Sequence, residues 1–166
     1  MRVGREEVRC NLRWARALYG EISKMGFATL RKITELYRFS IPIGDLLYLE
    51  GKWYVTHVGL LRLAQRKRCS GIRVHVVREF CDVAISRWTF KAIVFKSSAC
   101  KGFVGYGDAE PSNVSDLVRG AEMRVAETRA VNRALRKAYG IGLCSVEEIG
   151  SAPLPADTAR EPIVKR

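Results

Sequence analysis

The sequence has no long uninterrupted run of apolar residues. None approaches the ~20 residues that a membrane-spanning helix needs, although 48% of the 166 residues are hydrophobic. Charged and apolar residues alternate at the N-terminus, so the apolar core of a signal peptide is missing there. We therefore expect a cytoplasmic or nucleoid-associated protein with no membrane partner, built around one hydrophobic core.

Paired cysteines and clusters of metal ligands are missing as well. The five cysteines are Cys10, Cys69, Cys81, Cys100 and Cys144. They form no C-x-x-C pair, and neither His57 nor His75 stands at metal-ligand spacing from any of them. This odd, widely spaced set is typical of reduced thiols and predicts no metal site.

The sequence has few motifs that are typical of catalytic or cofactor-binding sites. No G-x-x-x-x-G-K-[ST] phosphate-binding loop is present, and we interpret the glycine-rich segment 102–108 as a strand end that allows close approach. Glu147 and Glu148 are typical of a solvated helix end. We therefore predict no catalytic residue and no cofactor, with a metal-dependent nuclease that uses Asp108 and Glu110 as the rival hypothesis.

Acidic residues are few in comparison with basic ones. The chain has 17 Asp and Glu against 29 Lys and Arg, which gives a net charge of +12. The excess is concentrated in residues 52–101, where eleven basic residues are opposed by Glu79 and Asp82 alone. Because cationic surfaces attract nucleic acid and release its counterions, the distribution favours a nucleic-acid partner. A basic protein without such a partner is the alternative.

Four helices are predicted from the spacing of apolar residues and from the stop signals that follow them. Apolar residues at three- and four-residue steps indicate a helix over residues 5–25 that ends at Gly26. A short helix is expected over residues 29–37 and another over residues 56–65. The longest covers residues 115–139, where a serine can cap its start and glycines follow its end.

Strands are predicted where apolar and basic residues alternate. Residues 46–54 indicate a β-hairpin, and residues 72–76 and 87–94 each place apolar side chains on one face and basic or polar ones on the other. Residues 103–106 form a third strand. The alternation predicts an antiparallel sheet covered on one face, with a basic face left for solvent or a ligand.

These elements define an α+β fold. We expect an antiparallel three-stranded sheet plus a β-hairpin packed on a long helix, a β-β-β-α core with an extra N-terminal helical segment. The predicted organisation is a helical segment over residues 1–44, the main domain over residues 45–150, and a disordered tail over residues 151–166.

A row of arginines marks the long helix. Arg129, Arg133 and Arg136 stand at i, i+4 and i+7, so they share one face of the helix. Neighbouring like charges repel one another unless an anion meets them, and we interpret the row as a track for backbone phosphates. The alternative is a solvated face whose charge is softened by Glu122 and Glu127.

Aromatic residues are interleaved with the basic ones and can stack on exposed bases. The set comprises Trp53, Tyr54, Trp88, Phe90, Phe95 and Tyr106. Most of these side chains are expected in the core, and we expect one or two of them to lie beside the nucleic acid.

The order of the motifs resembles a known family. The motifs, in order, are Tyr48-Leu49-Glu50-Gly51-Lys52, a short helix, a basic sheet, Gly105-Tyr106-Gly107, Arg133-Ala134-Leu135-Arg136 and Tyr139-Gly140. Over residues 46–144 the chain therefore resembles the annealing domain of the Rad fifty-two-type recombination mediators and of phage single-strand annealing proteins.

The resemblance implies a ring of subunits that holds single-stranded DNA in a positive groove. It implies phosphate contacts from Arg133, Arg136 and Lys52, whereas Asn132 replaces a lysine that the family commonly has. The long C-terminal region with which eukaryotic members recruit a recombinase has no counterpart here. The resemblance covers no part of residues 1–44.

We therefore predict binding of single-stranded DNA and ATP-independent annealing of complementary strands in homologous recombination or repair, by a protein that is not an enzyme. A small nuclease and a basic RNA-binding module are the alternatives. Expected partners are single-stranded DNA and further copies of the chain in a ring or helix, and a host or phage recombination protein stays open. The predicted binding residues are Lys52, Arg73, Arg87, Lys91, Lys101, Arg129, Arg133 and Arg136.

Overall fold

The computed structural model describes residues 2–149 and shows an α+β architecture, as predicted. The helices in this part of the chain are α1 (Arg2–Tyr19), α2 (Lys24–Tyr37), α3 (His57–Arg66) and α4 (Glu122–Tyr139). The strands are β1 (Leu46–Leu49), β2 (Lys52–Val55), β3 (Gly71–Val76), β4 (Trp88–Phe95) and β5 (Phe103–Ala109). The predicted tail over residues 151–166 lies outside the described residues.

The N-terminal segment divides into two helices earlier than predicted. The chain leaves α1 at Gly20, whose φ of +62° suits glycine, rather than at Gly26. The hydroxyl of Ser23 then accepts a hydrogen bond from the Gly26 N–H at 3.0 Å and caps α2. The prediction of one helix through residue 25 was therefore wrong, because this cap starts a new helix before Gly26.

The helical segment packs on the β-hairpin, so its residues share the main core. Antiparallel β1 and β2 place Tyr48 opposite Trp53. The ring of Tyr19 from α1 lies 5.8 Å from that of Tyr48 and 5.7 Å from that of Trp53. The indole N–H of Trp53 donates to the Gly26 carbonyl at 2.9 Å. Residues 2–44 and the later part of the described chain are thus joined by buried contacts.

The second sheet has the order β3-β4-β5, antiparallel throughout, and α4 packs across one of its faces. The approach is close because small residues meet there. A Cβ atom added at Gly105 would lie 2.4 Å from the Ala134 nitrogen, and one at Gly107 would lie 2.2 Å from the Ala130 nitrogen. The glycine-rich strand therefore exists to let the helix backbone lie directly on the sheet.

The long helix begins later than predicted. A 3₁₀ turn covers Asp116–Val118, and Gly120 has a φ of +85°, so α4 starts at Glu122 rather than at Ser115. Its C-terminal end agrees with the prediction, since Gly140 takes the left-handed conformation that closes the helix. Among the described helices, none combines the length and the hydropathy that crossing a bilayer would require.

Candidate nucleic-acid interface

The three-stranded sheet has one face against α4 and one open face. Partnered residues of antiparallel strands share a face, so the buried Ala92 and Val94 lie with Gly105 and Gly107 under the helix. The alternate residues lie on the other side. This open face is formed by Arg73, His75, Thr89, Lys91, Ile93, Phe95, Val104, Tyr106 and Asp108. The predicted half-covered sheet is present in the structure, and its open face carries the basic Arg73 and Lys91 together with the acidic Asp108.

Cationic and aromatic side chains adjoin one another on the open face. His75, Lys91 and Tyr106 are directly opposed across the three strands and form one row. The Lys91 ammonium lies 6.0 Å from the centre of the Tyr106 ring, and the Arg73 guanidinium lies 5.5 Å from the Phe95 ring. Tyr106 is 48% exposed. The face therefore offers positive charge for phosphates beside a ring on which a base can stack.

Of two further predicted residues, Lys101 lies at the margin of this face and Lys52 does not. Lys101 is exposed and precedes Gly102, where an added Cβ atom would lie 2.5 Å from the Ile93 side chain and 3.1 Å from that of Phe95. The loop from β4 to β5 thus places the Lys101 backbone near one end of the open face. Lys52 is also exposed, but it begins β2 of the hairpin and so belongs to a different sheet. The structure does not bring it together with Arg73 and Lys91.

Arg87 precedes β4 at the other end of the sheet and is already paired. Its Nε atom donates to the Glu110 carboxylate at 2.7 Å, and the Ser112 hydroxyl donates to the same carboxylate at 2.6 Å. These hydrogen bonds, from Ser112 first and from Arg87 second, lower the pKa of Glu110. Arg87 remains half exposed, so a phosphate would have to compete with Glu110 for its guanidinium.

Arg129 was expected to face solvent as part of the phosphate track, but it is buried. It is 4% exposed, and its guanidinium donates to the carbonyls of Glu147, Asp108 and Asn113 and to the Asn113 side-chain oxygen, at 2.7 to 2.9 Å. Burial lowers the pKa of the Arg129 guanidinium. Because its hydrogen-bond donors hold two loops on α4, the expected exposed position of Arg129 is wrong, and a phosphate would have to displace these partners to reach it.

Arg133 and Arg136 are also engaged by the protein. Arg136 donates to both carboxylate oxygens of Glu148 at 2.7 and 2.8 Å, and Arg133 donates to Glu148 at 3.2 Å. The Arg136 side chain is 19% exposed and that of Arg133 is 36% exposed. Burial raises the pKa of Glu148, but the hydrogen bonds from Arg136 and Ser145 outweigh it and lower the pKa overall. The expected exposed arginine track is therefore a half-buried ion-pair cluster.

The basic side chains of α4 also cover the free edge of β5. Along β4, alternate residues form backbone hydrogen bonds with their partners on β5; these are residues 88, 90, 92 and 94. The β5 residues that lie between those partners therefore point their carbonyls outward, away from β4. Lys137 donates to the Val104 carbonyl at 2.8 Å, and Arg133 donates to the Tyr106 carbonyl at 2.8 Å. Arg129 donates to the next outward carbonyl, that of Asp108, at 2.8 Å. We call Arg129, Arg133 and Lys137 the edge clamp, because they occupy the acceptors that another strand would use.

Asn132 stands where the resembled family commonly has a lysine, and it points into the protein. It is fully buried and donates to the Ser145 hydroxyl at 2.9 Å and to the Glu147 carboxylate at 3.0 Å. Its side-chain oxygen lies 2.6 Å from Nδ1 of His57. A residue at this position therefore joins α4 to α3 and to the C-terminal turn, and it does not face the open surface.

The acids proposed for the rival nuclease are held apart by partners of their own. Asp108 accepts hydrogen bonds from Asn113 at 3.1 Å and from Arg133 at 3.3 Å, whereas Glu110 binds Arg87. Within residues 2–149, no three His, Cys, Asp or Glu side chains are grouped as metal ligands would be. The two carboxylates thus act as partners for arginines in the structure.

Tyr106 and His75 complete the open face. Tyr106 was one of the six aromatics of which one or two were expected beside the nucleic acid, but neither residue was among the predicted binding residues. The signal that could have found Tyr106 is the Gly105-Tyr106-Gly107 sequence itself. If both glycines must lie against a helix, strand alternation turns the residue between them outward. His75 follows from the same alternation, because it stands two residues from Arg73 on β3.

Comparisons with protein-family models, with curated proteins and with solved structures gave no match to this chain. The functional interpretation therefore depends on the site itself and on the motifs that resemble the annealing domain.

Proposed function

We propose that the open face of the three-stranded sheet binds single-stranded DNA and that the protein anneals complementary strands without ATP. The observation that carries the proposal is the exposed Tyr106 ring on the edge strand β5, beside Lys91 of the central strand β4, on a face that α4 does not cover. A stacking ring next to a cation suits a single strand, because its bases are unpaired and its phosphates are spaced along the chain.

Annealing then follows from charge and geometry. Arg73 and Lys91, together with Lys101 at the margin, reduce the negative charge of the bound strand. A second strand is then repelled less, and bases that are not stacked on Tyr106 remain free to pair with it. No bond is made or broken in this scheme.

The test compares single substitutions on the open face with matched changes elsewhere. Tyr106→Ala removes a stacking ring worth about 1–3 kcal/mol, so single-strand affinity should fall about 5- to 150-fold, whereas Tyr106→Phe should keep it. Lys91→Ala should reduce the salt slope of binding by about 0.7. Trp14→Ala and Lys32→Ala, which alter an exposed aromatic and an exposed lysine of the helical segment, should bind like the parent protein.

Fluorescence anisotropy with a labelled oligothymidylate gives the affinities, and mixing complementary labelled strands gives the annealing rates. Loss of affinity in Tyr106→Ala with an unchanged melting temperature supports the proposal. Equal affinity in Tyr106→Ala and Trp14→Ala would contradict it, and cleavage of the oligonucleotide on adding magnesium would favour the nuclease. A clear preference for RNA of the same sequence would favour the RNA-binding module.

Assembly into a ring or helix is a further part of the proposal, and the edge clamp restricts it. Side-by-side pairing of sheets through β5 requires Arg129, Arg133 and Lys137 to release the carbonyls that they occupy. Light scattering with and without single-stranded DNA measures the assembly directly. A monomer in both conditions would remove self-assembly from the proposal.

A further inference from the structure

An unbroken row of arginines runs along α1, in the segment that the functional motifs do not cover. The row advances in steps of four, four and three residues and comprises Arg5, Arg9, Arg13 and Arg16. At a rise of about 1.5 Å per residue, it spans about 16 Å along one side of the helix. All four arginines are exposed, while Val8 and Ala15 on another side are buried in the core. We call this surface the arginine face of α1.

The arginine face has little opposing charge. Glu7 of α1 is paired with Arg38, which follows the end of α2, and the exposed Glu6 adjoins the row one turn before Arg9. Within residues 2–149 none of the four arginines forms an ion pair with a carboxylate. Arg16 contacts an aromatic ring instead, with its guanidinium 5.3 Å from the centre of Phe27. Like charges on adjacent turns destabilise a helix slightly unless an anion lies across them. The arginine face therefore differs from the row on α4, whose members are held by acids and carbonyls.

The composition of the face favours a duplex over a single strand. The exposed aromatic of α1, Trp14, projects to the opposite side of the helix from the arginines, together with the exposed Leu18. A single strand gains affinity by stacking its bases on exposed aromatic rings, whereas the ring beside the arginine face, Phe27, is half-buried and contacted by the Arg16 guanidinium. A duplex has its bases already stacked and offers a regular line of phosphates, for which a straight cationic row is sufficient.

A lipid surface fits less well. Helices that lie in a membrane interface bury their broad apolar side in the lipid, whereas α1 buries that side in the protein core through Val8, Ala15 and neighbouring residues. What remains exposed is mostly charge. Nucleic acid is therefore the polyanion that the surface fits best.

We propose that the arginine face of α1 binds the phosphate backbone of double-stranded DNA, the product of annealing. The choice of DNA as the polyanion rests on the proposed function, whereas the site itself stands on α1 alone. The open face of the sheet would then hold a single strand, and α1 would hold a duplex without reading its sequence.

The test compares a variant that lacks three positive charges of the arginine face with a control variant that lacks three positive charges elsewhere. The variant is Arg5→Ala/Arg9→Ala/Arg13→Ala, in which alanine favours the helix and spares the Arg16 contact with Phe27. The control is Lys32→Ala/Lys67→Ala/Arg124→Ala, which removes three exposed positive charges from α2, the end of α3 and α4. Circular dichroism checks that both variants keep their helices.

Binding is measured by anisotropy with a labelled duplex of about 20 base pairs, in salt from about 50 to 200 mM. If three phosphate contacts are lost, the slope of log affinity against log salt should become shallower by about 2.7, so the parent loses about 40-fold more affinity over this range than the variant. The control should keep the parent's slope. Equal slopes in the variant and the control would overturn the inference.

Two further arms separate this inference from the proposed function. Tyr106→Ala should bind duplex like the parent and lose single-strand affinity, whereas the α1 variant should do the reverse. If Tyr106→Ala leaves single-strand binding intact while the α1 variant still loses duplex, the proposed sheet site fails and the α1 site stands. If the α1 variant loses flotation with anionic phosphatidylserine vesicles but binds duplex like the control, the surface binds lipid and the inference is wrong.

Discussion

Arg129→Ala distinguishes a structural arginine row on α4 from a phosphate track. The guanidinium of Arg129 is 4% exposed and makes four hydrogen bonds, to Glu147, Asp108 and Asn113. A hydrogen bond that involves a charged group contributes about 1.5–3 kcal/mol, and a buried acceptor left without a donor costs about 1–3 kcal/mol. Water entering the vacated site offsets part of this, so we expect a loss of about 3–4 kcal/mol of unfolding free energy.

For a chain of this size, that loss corresponds to a fall of about 6–16 °C in melting temperature. The matched control is Arg124→Ala, because Arg124 lies exposed on the same helix and should melt within a degree or two of the parent protein. Thermal unfolding followed by circular dichroism measures both variants. If Arg129→Ala melts like Arg124→Ala while single-strand affinity drops, the row contacts phosphate after all and the structural role assigned to Arg129 is wrong.

Two other predictions concern the contacts that hold α4 in place. Gly107→Ala places a Cβ atom 2.2 Å from the Ala130 nitrogen, so it should destabilise the protein by at least about 1–3 kcal/mol in urea unfolding, whereas Gly142→Ala, which meets nothing within 4 Å, should have little effect. The pKa of Glu148 is lower in the folded protein than its ordinary value of 4.5, so the stabilisation from its ion pairs is present above that value and is lost as the pH falls through the folded pKa. In Glu148→Gln, the unfolding free energy should therefore fall less as the pH is lowered. An unchanged fall would contradict the role of Glu148 in the ion-pair cluster with Arg133 and Arg136.

The sheet and its two faces could be predicted from sequence because strand alternation is local. Arg73 and His75 alternate with Ile72 and Val74, and the pattern alone assigns one set to the core and the other to an exposed face. The order of helices and strands followed from similar local signals. The boundaries that were wrong, at residues 20–26 and 115–122, depended on which glycine takes a positive φ, and apolar periodicity does not contain that information.

The arginine row was misread because periodicity shows which residues share a helix face and not what lies opposite. Arg136 and Arg133 are bound by Glu148, which a turn after α4 brings back against the helix. Arg129 is bound by loop carbonyls, which any residue type can supply and which sequence therefore does not reveal. Conversely, the arginines of α1 follow the same spacing and remain exposed.

The most direct test of the central claim is to map where a single strand touches the protein. An oligonucleotide that carries photoreactive iodouracil should be cross-linked to the protein by light, and the linked peptides identified by mass spectrometry. We predict cross-links at Tyr106 and at its neighbours on the open face, Phe95 and His75, with a yield that falls as salt is raised. Cross-links confined to the hairpin around Lys52 or to α4, with none on the open face, would contradict the account.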